Sequence, residues 1–391
     1  MTPDEFSYQP LADLVEGGDI SYGIVQPGTH DAAGVPIVRV RDVSPGGTID
    51  RSNPLRVDSA ISQRHHKTVL RGGEVLVTIV GTVGSAAVVP PELVGWNVAR
   101  AIAVLRPTAV SPQWLQYCFS MPDVAHSIQG ALNTTVQATL NLSDLKKIKV
   151  PVASPSDRLA IEEVLGALDD KIAANNKVAT ISRELISASY ARMLSANEWN
   201  YRSLFDVFSV DFGAAFKGEH FSDVGVGRPL LRIRDLKTGR PQIWTTEERP
   251  DECVISPGDV VVGMDAEFRP SWWTGDPAVL NQRVCRVRGK GVGSAFVVES
   301  LKAPLARLEN EKTATTVIHL NKSDLNRVEI PFPSESAINE FEIVSEPLAL
   351  HYVQMARECK ALTKTRGELL PLLMSGKLRV KDAEKKVEAI A

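Results

Sequence analysis

The residues with the chemistry to act on a substrate are few, and their spacing argues against most enzymes. Of seven histidines, only His65 and His66 are adjacent, and no HExxH or other helical ligand spacing occurs, so no metal centre is expected. Ser85 stands in VGSAA rather than in the GxSxG elbow of a hydrolase. Ser375-Gly376-Lys377 has the form of a phosphate-loop ending, but the position five before Gly376 is Pro371 where that loop needs glycine. Asn53-Pro54 continues as Leu55-Arg56, so the Asn-Pro-Pro-aromatic motif of amino-methyltransferases is missing. One pattern has a catalytic outline. Pro122-Asp123 followed by Asp144-Leu145-Lys146 matches a PD…DxK nuclease in which Asp123, Asp144 and Lys146 hold a metal, although chance is the better reading of so degenerate a motif. The expectation is therefore no catalytic residue and no metal site.

Residues suited to touching nucleic acid are more numerous. Arg39 and Arg41 alternate with Val38 and Val40, which predicts two guanidinium groups on one strand face, and Arg232 and Arg234 repeat the arrangement. Each pair adjoins an acid, Asp42 or Asp235, so the shared role is either DNA contact or an internal ion pair. Arg64-His65-His66-Lys67 and Asn133-Thr134-Thr135-Val136-Gln137 read as loops offering cations for phosphates and amides for base edges. The expected DNA contacts are Arg39, Arg41, Lys67, Thr82, Asn97, Arg100, Thr135 and Gln137 in the first half of the chain. In the second they are Arg232, Arg234, Arg269, Trp272, Asn281, Gln282 and Arg283, with Trp272-Trp273 equally readable as a packed core corner. A net charge of −3 over 391 residues argues against binding by bulk charge and leaves local basic faces open.

The elements that must position these residues come in two copies. Residues 140–151 read LNLSDLKKIKVP and residues 320–331 read LNKSDLNRVEIP, at an offset of 180. PIVRVRDV at 36–43 pairs with PLLRIRDL at 229–236 at an offset of 193, as do Leu11 and Asp13 with Leu204 and Asp206. Ser143 or Ser323 is expected to cap a short helix in the SDL turn. Each copy then enters a long stretch of heptad character. Ile161, Leu165, Leu168, Ile172, Ala179, Ile186 and Met193 form one seam, with Asn175, Ser182 and Ser189 as polar exceptions. Phe341, Leu348, Tyr352, Met355, Cys359, Leu362, Leu369 and Leu373 form the other, with Ser345 and Arg366 as exceptions. Pro347 and Pro371 are expected to kink or break the second helix, and Gly376 to stop it.

The fold expected is α+β: two mixed globules separated by two long helices that form an antiparallel intramolecular coiled coil, a pseudo-two-fold repeat. The limits are 1–153 for the first globule, 154–198 for the central helix, 199–333 for the second globule, 334–379 for the distal helix and 380–391 for a charged tail. Strands are expected at 37–40, 74–79, 86–89 and 101–105, and at 230–233, 259–262 and 283–287, with one or two short helices per globule, the first opening at Ser111-Pro112. The four cysteines form no CxxC pair, no run reaches membrane-span length, and the start lacks a signal-peptide core, so a cytoplasmic protein with reduced thiols is expected.

These features together resemble the specificity subunit of Type I restriction–modification systems. Two unlike globules alternate with two similar helices, each globule ends in LNxSDLxx[IV]x[VI]P, and the last helix closes with TRGELLPLLMSGKL. TIVGTVG at 78–84 with WNVARAIAVLRP at 96–107 is similar to one type of target recognition domain, and MDAEFRPSWWTGDPAVLNQRVCRV at 264–287 to another. The resemblance implies a chain without catalysis or cofactor of its own. Each globule would read one half of a bipartite asymmetric site in double-stranded DNA, and the helices would set the spacer and dock two methyltransferase subunits that bind S-adenosylmethionine. Restriction subunits using ATP and Mg²⁺ can join such complexes. The alternatives are the metal-dependent nuclease above and a freestanding DNA-binding regulator whose helices pair between chains.

Overall fold

The computed structural model describes residues 6–133, 138–313 and 319–388. The chain divides into two units, one formed by residues up to 169 together with those from 362 onward, the other by residues 170–361.

The first unit begins with strand β1 (Ser7–Pro10) and the single-turn helix α1 (Leu11–Leu14). Strand β2 (Ser21–Tyr22), β3 (Val35–Val38), β4 (Leu55–Val57), helix α2 (Ser59–Arg64) and strands β5 (Val75–Thr78), β6 (Ala86–Val88), β7 (Asn97–Val98) and β8 (Ile102–Leu105) follow. They form two small sheets, ordered β2-β8-β5-β6 and β4-β3-β7. β5 and β8 are buried along their whole length, as their unbroken apolar runs require for strands covered on both faces. Helix α3 (Pro112–Phe119) opens where the sequence places it, with the Ser111 hydroxyl accepting from Trp114 N at 2.9 Å. Helices α4 (Pro122–Gly130) and α5 (Leu142–Leu145) lead to β9 (Lys149–Val152), which returns to pair antiparallel with β1.

Helix α6 runs from Pro155 to Ala196. The second unit then repeats the plan of the first. Strand β10 (Trp199–Ser203) and helix α7 (Leu204–Val207) correspond to β1 and α1. Strands β11 (Phe208–Phe212), β12 (Phe221–Ser222), β13 (Arg228–Leu231), β14 (Ile243–Thr245), β15 (Val254–Ile255), β16 (Val260–Gly263), β17 (Pro270–Trp272), β18 (Ala278–Leu280) and β19 (Val284–Gly289) make sheets ordered β11-β19-β16-β17 and β12-β14-β13-β18-β15. Helix α8 (Ser294–Thr313) is 20 residues long, not the short helix expected; Pro304 lies inside it, and Phe296, Leu301 and Leu305 bury its inner face. Helix α9 (Lys322–Leu325) and strand β20 (Glu329–Pro333), paired with β10, close the globule.

Helix α10 (Glu335–Met374) is continuous across Pro347 and Pro371, so of the kink or break expected from two missing donors the break does not occur. Each proline removes one hydrogen bond from a 40-residue ladder, while burial of Phe341, Ala349, Val353, Met355, Cys359, Leu362 and Leu369 fixes the helix along its length. In the second unit α6 and α10 pack side by side in opposite directions. Lys171 meets Glu358 at 3.2 Å, the Cys359 thiol donates to Ile172 O at 3.5 Å, Arg183 lies over the Tyr352 ring, and Tyr190 meets Phe341 edge-on at 5.8 Å. Positions 171, 183 and 190 on α6 meet 358, 352 and 341 on α10, so the pair is antiparallel and made within one chain. That is the intramolecular pairing expected, and not the pairing between chains that a freestanding dimeric regulator would use. Asn175, Ser182 and Ser345 interrupt the seam as buried polar residues. In the first unit Arg366 pairs with Asp169, to which the Tyr117 hydroxyl also donates at 2.9 Å. Gly376, at φ +71°, ends the helix region as expected, and helix α11 (Val380–Glu388) forms within the tail. No helix among the described residues is long and apolar enough to cross a membrane.

Candidate nucleic-acid interface

Each globule contains the same backbone frame at one end, built from isolated bridges and loop hydrogen bonds. Ile24 bridges Ala99 in parallel and Val80 bridges Thr139 antiparallel; in the second globule Ala214 bridges Asn281 and Asp265 bridges His319 in the same senses. Ile24 N donates to Val98 O at 2.8 Å and Ala214 N to Leu280 O at 3.1 Å. Ile79 N donates to Ala101 O, and Met264 N to Arg283 O, both at 2.9 Å. Leu140 N donates to Ile79 O and Leu320 N to Met264 O. The correspondence extends to a left-handed residue, Gly81 at φ +78° in one copy and Ala266 at φ +60° in the other. The frame aligns Val80 with Asp265, Ala99 with Asn281, Arg100 with Gln282, Ala101 with Arg283, and Thr139 with His319. The backbone is shared and the side chains are not.

The expected contact residues divide by burial and partners. Strand β3 ends at Val38, two residues short of the expectation, and Arg39 begins a 3-10 turn whose end is tied back by Asp42. Arg39 Nε and Nη2 donate to the two Asp42 oxygens at 2.8 and 2.9 Å, and Nη2 reaches Asn53 O at 2.7 Å. Arg232 makes the same fork to Asp235 at 3.3 and 3.5 Å. The recurring RxRD is thus an internal ion pair closing a turn, one of its two readings, and the strand alternation that put both arginines on one face is corrected. The turn leaves Arg41 and Arg234 exposed, Arg41 at 70%.

Two candidates are structural. Asn97 is fully buried: its Oδ1 accepts from the Thr68 hydroxyl at 2.7 Å and its Nδ2 donates to the Ser62 hydroxyl at 3.1 Å. A buried amide must satisfy its polar atoms, and Asn97 does so by tying segment 62–68 to the frame. Trp272 is buried in the second core and donates Nε1–H to the Ser294 hydroxyl at 3.0 Å, while Trp273 donates to Asp276 O at 2.8 Å; the core-corner reading is the correct one.

Lys67, Arg100 and Thr82 are exposed in the first globule, as are Arg269 and Gln282 in the second, with Asn281 half-buried. Thr135 and Gln137 lie outside the described residues. Thr82 tops a turn pinned by buried Thr78, whose hydroxyl donates to Thr82 O and accepts from Ser85 N at 3.0 Å. Lys67 joins Arg64, His65 and His66 in a surface cleft completed by Ile20, Ser21, Tyr22, Thr68 and Leu142. Tyr22, whose ring is half exposed, escaped the sequence reading, since a lone tyrosine in a polar stretch carries no signal. Asp265 and His319 also escaped it. His319 immediately precedes LNKSDL, so comparing the residue before that motif in each copy, Thr139 against His319, would have found it.

In the second copy the short helix of the repeated motif is capped by asparagine rather than by the expected serine: Asn321 Oδ1 accepts from Asp324 N at 3.0 Å and Asp324 accepts from Asn321 N at 2.9 Å. In the first copy Asp144 faces Asn141 and Lys147, and Lys146 faces Asp19. Among the described residues no three His, Cys, Asp or Glu side chains are placed to hold a metal, so the nuclease alternative finds no support. Burial pushes the Cys285 thiol up to about 12, which keeps it protonated at neutral pH.

Comparison with known proteins bears on the same features. A family model described as the Type I restriction modification DNA specificity domain matches residues 196–344. The EcoBI Type I restriction enzyme specificity subunit of Escherichia coli is 31% identical over a segment covering 49% of this chain and 40% of that protein. The chain thus spans less than half of that relative's length in the match. A Methanocaldococcus jannaschii protein named for the MjaX type I specificity subunit is 21% identical over 97% of this chain and 95% of its own. Among solved structures, the S subunit of the Type-I restriction-modification system of M. genitalium matches with a TM-score of 0.63 and 14% identity, covering 94% of this chain and 96% of that one. That last likeness speaks for the fold alone. Residues 196–344 thus carry the DNA specificity domain of Type I restriction–modification systems, and the chain as a whole is similar to the specificity subunits of such systems.

Proposed function

We propose that this chain is the non-catalytic DNA-reading subunit of a Type I restriction–modification enzyme, each globule reading one half of a bipartite, asymmetric target. The observation that carries the reading is the contrast at the frame ends: one hydrogen-bonded backbone, with Val80, Ala99, Ala101 and Thr139 in one copy and Asp265, Asn281, Arg283 and His319 in the other. Equal scaffolds with unlike side chains suit two different half-sites, because base edges are distinguished by donor and acceptor pattern. DNA contact is assigned to Arg41, Lys67, Thr82 and Arg100 in the first globule and to Arg234, Arg269, Asn281, Gln282 and Arg283 in the second. Thr135 and Gln137 complete the assignment from sequence. Arg39, Arg232, Asn97 and Trp272 serve as supports.

The similarity to specificity subunits favours DNA binding and assembly with other subunits. Two methyltransferase copies are favoured by surfaces that do repeat. Exposed Tyr8 stands opposite Pro151 on β1 and exposed Tyr201 opposite Pro331 on β10, with exposed Lys147 and Arg327 at matching places in the motif. Ile343, Val344 and Leu350 give α10 an exposed apolar stretch of the kind a partner covers. S-adenosylmethionine would sit on the methyltransferase subunits, and ATP and Mg²⁺ on restriction subunits where these join, in the cytoplasm. Mapping methylated adenines genome-wide, in cells with and without this chain, tests the reading. A gapped asymmetric motif that vanishes on deletion is expected; an unchanged methylation pattern overturns it.

A further inference from the structure

The frame end of the second globule carries a side-chain cluster that the first lacks. Asp265, Arg283 and His319 occupy the places of Val80, Ala101 and Thr139, beside Ala266, which is the one non-glycine residue at positive φ among those described. Where the first copy has glycine at that turn, the second holds an alanine in a strained conformation and sets a carboxylate next to it. Arg283 Nη1 lies 3.3 Å from Asp265 Oδ1. His319 Nδ1 lies 2.7 Å from the same oxygen and 3.1 Å from Met264 O. Two acceptors facing Nδ1 make it the protonated nitrogen, so the 2.9 Å approach of Arg283 Nη1 to it sets two donors side by side, both turned to the Asp265 carboxylate, and the Arg283 hydrogen bond at this spot goes to Asp265. The guanidinium is thereby tethered through Nη1 while its side chain remains 44% exposed.

We propose that Arg283, clamped by Asp265 and His319, reads a guanine in the half-site of the second globule. The inference rests on the reading of that globule as a DNA-recognition unit. The planar fork of a guanidinium matches the paired acceptors O6 and N7 of guanine, and tethering through Nη1 reduces rotamer freedom before binding. The carboxylate decides between base and backbone. An anion this close to Arg283 opposes a phosphate, whereas it tolerates an uncharged base edge.

The test uses the full chain assembled with its methyltransferase subunits, competing its target duplex against duplexes changed one base pair at a time, at two salt concentrations. Arg283→Ala is expected to lose about tenfold or more of discrimination at a single G·C pair of the second half-site, with the first half-site unaffected. Arg283→Lys should not restore it, because an ammonium lacks the fork. Asp265→Asn, nearly isosteric, should lose part of the discrimination at that same pair, and these two variants carry the test if Arg283→Ala fails to assemble. Uniform weakening of all sequences with a shallower salt dependence would identify a phosphate contact and overturn the proposal. Unchanged discrimination also overturns it, and Arg269→Ala and Gln282→Ala locate that failure. If they alter preference in the second half-site, only the guanine assignment falls; if they too change nothing, the DNA-reading of the globule falls with it.

Discussion

The parallel strand pair that closes the frame of the first globule sets Asn97 beside Ile37; in the second globule the same pair sets Val279 beside Leu230. Asn97 hydrogen-bonds Ser62 and Thr68 and so holds the Arg64–Lys67 segment against the frame. Val279 instead packs with Ala214, Phe216 and Leu230. One position in one fold serves as a polar hook in one copy and as apolar filling in the other. The strand pairing itself runs through backbone groups, so it survives either choice. What changes is which loop the frame carries, and with it the chemistry displayed at the surface.

The comparison can be broken most directly at the shared ion pair. Asp235 is fully buried against Arg232, and the hydrogen bonds from that guanidinium go to Asp235, whereas Arg39 keeps Asn53 O as a further acceptor beside Asp42. Asp235→Ala should therefore destabilise the protein by about 3 kcal/mol, the cost of stranding a buried charge, and Asp42→Ala by clearly less. Urea unfolding of both variants checks this; equal losses would show that the two turns are energetically interchangeable. Exchanging hook and filling comes next. Val279→Asn buries an amide among apolar side chains and should cost about 2–3 kcal/mol, and Asn97→Val, which strips the Thr68 hydroxyl of one partner, about 1–2 kcal/mol.

The left-handed turn offers a smaller and opposite pair of effects. Gly81→Ala should destabilise by about 1 kcal/mol, and Ala266→Gly should stabilise by up to about 1 kcal/mol, read as shifts in thermal midpoint. A destabilising Ala266→Gly would mean that the alanine methyl packs in a way that outweighs backbone strain. The smallest effect concerns the helices. Lys360 on α10 donates to Thr274 Oγ1 at 2.7 Å and Gly239 O at 3.1 Å; Thr180, at the matching place in α6, donates within its own helix to Asn176 O. Burial, reinforced by Arg240, pushes the Lys360 ammonium down to about 8 from the usual 10.5. The unfolded chain then binds more protons between those values, so stability should rise as pH climbs from about 8 to 10.5. Relative to Lys360→Met, the wild type should gain over that window in urea titrations, and parallel curves would remove Lys360 as the cause.

Much of this was legible in the amino-acid order because it depends on periodicity. Apolar residues every three or four positions make one buried stripe on a helix, whatever the neighbours, and 155–196 and 335–374 could hardly be anything else. The duplicated motif likewise foretold two copies of one frame. Of the kink or break expected at the prolines, the break does not occur because propensity is a local cost, and packing along 40 residues exceeds it. Other decisions needed contacts between distant residues. Arg39 and Arg41 look alike in a β-type run, and only the end of β3 at Val38 turns one onto Asp42 and leaves the other in solvent. Asn97 reads as a base-contacting amide until Ser62 and Thr68 arrive to satisfy it. The cluster of Asp265, Arg283 and His319 spans more than fifty residues of sequence, and only the bridging of 265 to 319 brings it together. Patterning along the chain determines which segments bury a face; whether a given polar side chain is support or reader is settled by partners that only folding delivers, since a buried donor or acceptor must be paired and an exposed one need not be.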